Sequence, residues 1–253
     1  MLDISSKLIV ALDVDELDEA KRFVDILYPT VQLFKIGNQL FTAHGPGAVR
    51  MVGEKGGKVF LDLKFHDIPK TVFSGVASGT GLSCTIVSYM TSSITQEVKN
   101  AVEYPVFMMT VHTGDVDRKM LEEAVKGASE KASQLKIKPP LIVGATVLTS
   151  DAGNKDTLRI VLERARFAKD AGLDGVVCSV QEAAAVRKEC GSDFIIVTPG
   201  IRPKGAKSDD QKRVATANDA LAAGVNYLVV GRPILEAQDP LGAAGKIIEE
   251  MKV

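Results

Sequence analysis

The chain has 253 residues, 45% hydrophobic and 25% charged, with 31 Lys and Arg against 32 Asp and Glu and a formal net charge of −1. This composition excludes disordered and fibrous classes, and the balanced charge supplies neither a basic field for nucleic acid nor an acidic tail. Cys84, Cys178 and Cys190 form no CxxC pair and the apolar run near the N-terminus is short, so the expectation is a soluble, cytoplasmic α/β protein with reduced thiols, no signal peptide and no membrane span.

Taken in chain order, β-branched runs at 8–13, 33–36, 59–64, 106–112, 141–147, 175–178, 194–198 and 227–230 read as strands. Most are apolar along their length, as strands buried on both faces should be. Helical periodicity lies between them, clearest at 18–27, 120–126, 157–171 and 181–190. Asp15, Asp18, Ser150–Asp151 and Asp239–Pro240 supply capping or turn chemistry. Eight strands alternating with helices and no Pro/Ser-rich linker predict one domain over 1–253, a single (β/α)8 TIM barrel. An open doubly wound sheet is the rival, but its Gly-rich turn is missing after the first strand. The interval from the third strand to the fourth is the anomaly. Residues 72–104 are rich in Ser and Thr, and a single helix needs only about half of them. A second helix, an added strand or a long loop would fill the rest.

Barrels carry function at the C-terminal ends of their strands. The polar residues expected there are Asp13, Lys35, Asp62, Lys64, His112, Thr149–Ser150, Arg202 and Arg232. Charges in such a mouth are costly unless paired, and lysines and aspartates converging there form a network close to neutral. Asp62 and Lys64 are two apart on a strand, so both face the barrel interior. With carboxylates beside it, Lys64 stands as an ammonium able to deliver a proton to a carbanion. The bland alternative is a salt-bridge layer that plugs the barrel and catalyses nothing. Gly200 with Arg202 and Gly231 with Arg232 follow the last two strands, where barrels commonly bind phosphate. Solvated arginines beside turn glycines are the plain alternative there. His44, His66 and His112 lack metal-ligand spacing, so no metal is expected, and His112 reads as a hydrogen-bonded rim residue.

Six blocks then carry a resemblance: LIVALDV (8–14), FKIGNQLFTAHGP (34–46), VFLDLKFHDIPKTV (59–72), ATVLTS (145–150), TPGIRPKGAKSDDQKRV (198–214) and VVGRPI (229–234). Together the sequence resembles the orotidine 5′-phosphate decarboxylase family, in its free-standing microbial form, over nearly its whole length. The resemblance implies decarboxylation of orotidine 5′-phosphate to UMP without a cofactor, the last step of de novo pyrimidine nucleotide synthesis. It also implies a catalytic array of Lys35, Asp62, Lys64 and Asp67, with Lys64 protonating C6 and Asp67 reaching into the neighbouring site of a homodimer. Asp13 and Lys35 would hold ribose hydroxyls, and Thr149 with Ser150 would meet the pyrimidine. Gln211 would close over base and phosphate, and Arg202, Gly231 and Arg232 would bind phosphate. Asp62, Ile68 and Thr71 complete the implied substrate-binding set. Two departures stand out. Lys70 replaces the family's usual Asn, which bears on the helix that starts there, and 72–104 is longer than the family leads one to expect. A Mg²⁺-dependent phosphosugar decarboxylase or aldolase-like relative is the alternative, although such relatives carry an acidic residue where Lys35 stands. A non-catalytic nucleotide-binding barrel would need a broken array.

Overall fold

The computed structural model describes residues 4–90, 106–147, 156–203 and 215–252, with 84–90 as backbone alone. A 3-10 turn, Ile4–Lys7, leads into β1 (Leu8–Ala11) and α1 (Leu17–Leu27). β2 (Leu33–Gly37) is followed by two short helices, α2 (Asn38–His44) and α3 (Pro46–Glu54). Then come β3 (Lys58–Phe65), α4 (Pro69–Met90), β4 (Val106–His112), α5 (Arg118–Leu135) and β5 (Leu141–Ala145). α6 (Thr157–Asp170), β6 (Gly175–Val177), α7 (Val180–Cys190) and β7 (Ile195–Thr198) follow. The chain closes with α8 (Ala217–Ala222), β8 (Tyr227–Val230), α9 (Arg232–Leu235) and α10 (Pro240–Glu250). The eight strands form a closed barrel in sequence order, as the pattern predicted. β1 pairs in parallel with both β2 and β8, which shuts the sheet on itself.

Period-two alternation sorts the strand residues into two cores. Outward-facing Leu8, Val10, Phe34, Ile36, Val59, Leu61, Met109 and Val111 join the helices in one continuous cluster. Inward-facing Ile9, Leu33, Phe60, Met108, Val143, Val197 and Val229 pack against each other inside the barrel. Each such side chain contributes about 1.5–3 kcal/mol when fully buried. The inner cluster is also a floor. One step further along β2 and β3 stand Lys35 and Asp62, so the apolar packing stops where the polar mouth begins.

The Ser- and Thr-rich stretch starts as one long helix, because α4 spans 22 residues. Its composition is poor in strong helix formers. Tertiary burial overrides that: Val72, Val76, Thr80 and Ser83 are buried at helical spacing, and Thr80 Oγ1 donates back to the Val76 carbonyl at 2.9 Å. α4 lies so close to α5 that a Cβ added to Gly127 would stand 2.5 Å from the Phe73 carbonyl oxygen. Lys70 leaves the start of this helix in place, since the N–H groups of Thr71 and Val72 donate to the Ile68 carbonyl at 3.0 and 3.1 Å. Residues 91–105 lie outside the described part, as does Cys84 beyond its backbone. Among the described residues, no helix is long and apolar enough to cross a membrane.

Two capping expectations need correcting. The N-cap of α1 is Glu16, with no side-chain cap bond, and Asp18 sits in the first turn. Asp15 instead accepts from Gln39 Nε2 at 2.7 Å, tying the β1 exit to α2. Asp239 does cap α10, accepting from the Gly242 N–H at 2.9 Å. At the opposite end of the barrel, Arg187 braces the entries to β7 and β8. Its guanidinium donates to the carbonyls of Gly191, Phe194 and Gly224 at 2.6, 2.6 and 2.8 Å, and to Asn226 Oδ1 at 2.6 Å.

Candidate active site

The mouth is built from consecutive strand ends. Lys35 and Asp62 stand on adjacent strands with β2 Gly37 level with Asp62. Lys35 Nζ donates to Asp13 Oδ1 at 2.8 Å and lies 3.7 Å from Asp62 Oδ2. Lys64 Nζ donates to the other oxygen, Asp62 Oδ1, at 2.9 Å. The result is an alternating row, Asp13, Lys35, Asp62, Lys64, with no net charge. Side-chain exposure is 12% at Lys35 and 13% at Asp62 but 51% at Asp13, so the inner pair is the desolvated one. Burying either charge without the other would leave it uncompensated, at a cost of about 3–5 kcal/mol. Gly37 makes room for this row, because a Cβ there would stand 3.0 Å from Lys35 Nζ.

Lys64 reaches its place by an irregular backbone. Its φ is +50°, in the left-handed region, which costs a non-glycine residue roughly 1–2 kcal/mol. The β3–β4 register shifts at the same point, between Leu61 and Phe65. Buried Thr110 on β4 accepts the Lys64 N–H at 2.8 Å and donates to Asp62 Oδ1 at 2.9 Å. The sequence expectation does not include Thr110. Its signal was there: Met108, Thr110 and His112 alternate on β4, placing one hydroxyl between the apolar floor and the rim.

A cavity of about 170 Å³ opens above the floor, lined by Lys35, Asp62, Lys64, Thr146, Cys178, Ser179 and Pro199 together with Phe60, Val177 and Val229. Asp67 does not line it. Its carboxylate accepts the N–H of Ile68 at 2.6 Å on the exposed turn after β3, and Ile68 itself is 66% exposed. Thr71 is exposed in the first turn of α4, which follows directly. One chain therefore brings Lys35, Asp62 and Lys64 together and turns Asp67, Ile68 and Thr71 outward. Thr149, Ser150 and Gln211 lie outside the described residues.

Beyond β7, Gly200 has φ +82°, and the Arg202 N–H donates to the Ala215 carbonyl at 3.0 Å. Arg202 is buried at 7% exposure, which removes its reading as a solvated surface arginine. Arg232 opens α9 and is half-buried. Gly231, just before it, abuts the charged row: a Cβ added there would stand 3.7 Å from Asp13 Oδ2. Arg202 and Arg232 thus follow β7 and β8, which pair with each other, and Gly231 sets the start of α9 close to Asp13. Among the described residues, no group of three or more His, Cys, Asp or Glu is placed to hold a metal ion.

The profile of the Orotidine 5′-phosphate decarboxylase / HUMPS family matches residues 6–247. The chain is 42% identical over 256 residues to the orotidine 5′-phosphate decarboxylase of Moorella thermoacetica, covering 98% of this chain and 92% of that one. It is 41% identical over 261 residues to the enzyme of that name from Syntrophotalea carbinolica, covering 99% and 97% respectively. Among solved structures it is similar to orotidine 5′-phosphate decarboxylase from Lactobacillus acidophilus, with a TM-score of 0.78 and 30% identity over 98% of this chain and 100% of that one.

His112 borders the site and bears out its reading as a hydrogen-bonded rim residue. Its Nδ1 accepts the Gly114 N–H at 3.0 Å, and its ring stacks on His66 with centroids 5.2 Å apart. Burial pushes its pKa below the ordinary value of 6.5, and His66 and Arg164 push the same way against the Gly114 carbonyl and Asp115. The unfolded chain therefore takes up this proton first as pH falls. The stability tied to neutral His112 is whole above about pH 6.5 and is lost as pH drops through the lower folded value. Urea unfolding at about pH 7.5 and about pH 5.5 should show a smaller loss for His112→Asn, which keeps an acceptor for Gly114, than for the wild type. Equal losses would remove His112 from the account.

Proposed function

The chain belongs to the Orotidine 5′-phosphate decarboxylase / HUMPS family, and we propose that it converts orotidine 5′-phosphate to UMP and CO2 without a cofactor, serving pyrimidine nucleotide synthesis in the cytoplasm. The observation that carries this reading is the ammonium of Lys64, held 2.9 Å from Asp62 Oδ1 at the lip of a cavity floored by apolar side chains. The bond from C6 to the carboxylate breaks and leaves its electron pair at C6, in the plane of the ring where delocalisation is poor. The Lys64 ammonium stabilises that charge as it forms and then gives C6 its proton; solvent later restores the ammonium. This is electrostatic preorganisation, since the donor is in place before charge develops. Asp62 faces the departing carboxylate and favours its loss as neutral CO2.

Supporting roles follow the same arrangement. Lys35, bonded to Asp13 and facing Asp62, orients the array, and Asp13 with Lys35 takes ribose hydroxyls. Arg202, Gly231 and Arg232 receive the phosphate, whose binding energy holds the reacting ring in place. Thr149 and Ser150 meet the pyrimidine and Gln211 spans base and phosphate, assignments supported by the family resemblance. Asp67, with Ile68 beside it and Thr71 exposed at the start of α4, serves the site of a second subunit. The outward turn of these residues supports a homodimer with shared sites.

The Mg²⁺-dependent alternative is disfavoured by Lys35, an ammonium where a metal-binding relative needs a carboxylate. Loss of orotidine 5′-phosphate absorbance should proceed equally with and without EDTA, and Lys64→Ala should abolish it while UMP binding survives. Chelator-sensitive turnover would favour the alternative, and unchanged turnover in Lys64→Ala would remove Lys64 as the acid. Mixing Lys64→Ala with Asp67→Ala protein should restore part of the activity, because a heterodimer contains one intact site. No recovery after demonstrated subunit exchange would place Asp67 in its own chain's site.

A further inference from the structure

We infer that Thr110 is a positioning residue for proton transfer, its hydroxyl aiming the Lys64 ammonium by tying the Lys64 backbone to the Asp62 carboxylate. The inference rests on the decarboxylase reading above and deepens it. Its basis is the β3–β4 seam. Leu61 pairs with Met109 and Phe65 pairs with Val111. Between those pairs, Asp62, Leu63 and Lys64 stand opposite a single β4 residue, Thr110. An excursion of this kind bends the strand and strips its residues of ordinary ladder partners. Thr110 supplies what the ladder does not.

The direction of its bonds is fixed by chemistry. A backbone N–H can only donate, so at 2.8 Å the Lys64 N–H occupies a lone pair of Thr110 Oγ1. The hydroxyl proton then points to Asp62 Oδ1 at 2.9 Å. Asp62 Oδ1 also receives Lys64 Nζ at 2.9 Å. Backbone N–H, hydroxyl, carboxylate and ammonium thus close a ring that begins and ends on Lys64. The ring holds Lys64 at φ +50°, a conformation that a non-glycine residue keeps only where its surroundings over-determine it. Thr110 is fully buried, so water does not stand in for the lost hydroxyl at the surface. Without that hydroxyl, the Lys64 N–H loses its acceptor and Asp62 loses a donor. The ammonium is then free to settle away from the C6 position, while Arg202 and Arg232, proposed to hold the phosphate beyond β7 and β8, are untouched.

Thr110→Val keeps the shape and removes the hydroxyl; Thr110→Ser keeps the hydroxyl; Thr110→Ala guards against failure of the Val variant to fold. With folding checked by urea unfolding and UMP binding, Thr110→Val and Thr110→Ala should lower kcat by about ten- to a hundredfold, within the usual reach of positioned proton transfer. KM should move less than about threefold, since binding remote from the chemistry is kept. Thr110→Ser should return kcat to within about threefold of the wild type. Wild-type kcat in folded Thr110→Val or Thr110→Ala overturns the inference, as does a Thr110→Ser as slow as Thr110→Val. A loss confined to KM overturns it too. A wild type inactive on orotidine 5′-phosphate overturns the decarboxylase reading and this inference with it; an active wild type with unaffected variants overturns this inference alone.

Discussion

The carboxylate of Asp62 between two ammonium groups is the contact on which the site depends. One oxygen takes Lys64 at 2.9 Å and the other faces Lys35 at 3.7 Å. Neither lysine would be tolerated so close to the barrel floor alone, because desolvating an unpaired ion costs several kcal/mol. Paired through Asp62 and extended to Asp13, the row is neutral and stays assembled before any ligand arrives. A substrate bearing a carboxylate and a phosphate then brings its charge to a mouth already lined with cations. Attraction is spent where charge develops, at Lys64, rather than on reorganising the site.

The barrel supplies this contact through its strand period. Inward positions on β2, β3 and β4 run from Leu33, Phe60 and Met108 in the floor to Lys35, Asp62 and Thr110 just above it. A change of one residue in register would send the charges among the helices. Gly37 gives the Lys35 ammonium its space, and the β3 excursion swings Lys64 back over Asp62. Stability is anchored at the other end, where Arg187 ties the entries of β7 and β8 together. That separation lets the mouth hold a left-handed lysine and a desolvated ion row.

Much of this was legible in the sequence. Buried parallel strands leave apolar runs, so all eight were found, with ends differing by a few residues. The Asp62–Lys64 spacing put both side chains on the interior face, and the two arginines stood out by their places just after the last two strands. The rest was hidden for physical reasons. No glycine flags the left-handed turn at Lys64, because Thr110 across the seam holds it. Thr110 itself sits in an apolar run and resembles core. The length of α4 was obscured by its Gly, Ser and Thr content, which tertiary burial of Val72, Val76, Thr80 and Ser83 overrides. Spacing alone could not say that Asp67, three residues beyond Lys64, turns outward once the strand ends; only the family resemblance pointed there.

The most direct test is a crystal structure of the protein with UMP bound. The account predicts the pyrimidine above the Phe60 and Val229 floor, with Lys64 Nζ facing C6 while still bonded to Asp62. It also predicts the phosphate on Arg202 and Arg232. A ring bound away from Lys64, or a Lys64–Asp62 contact that breaks when the nucleotide enters, would contradict it.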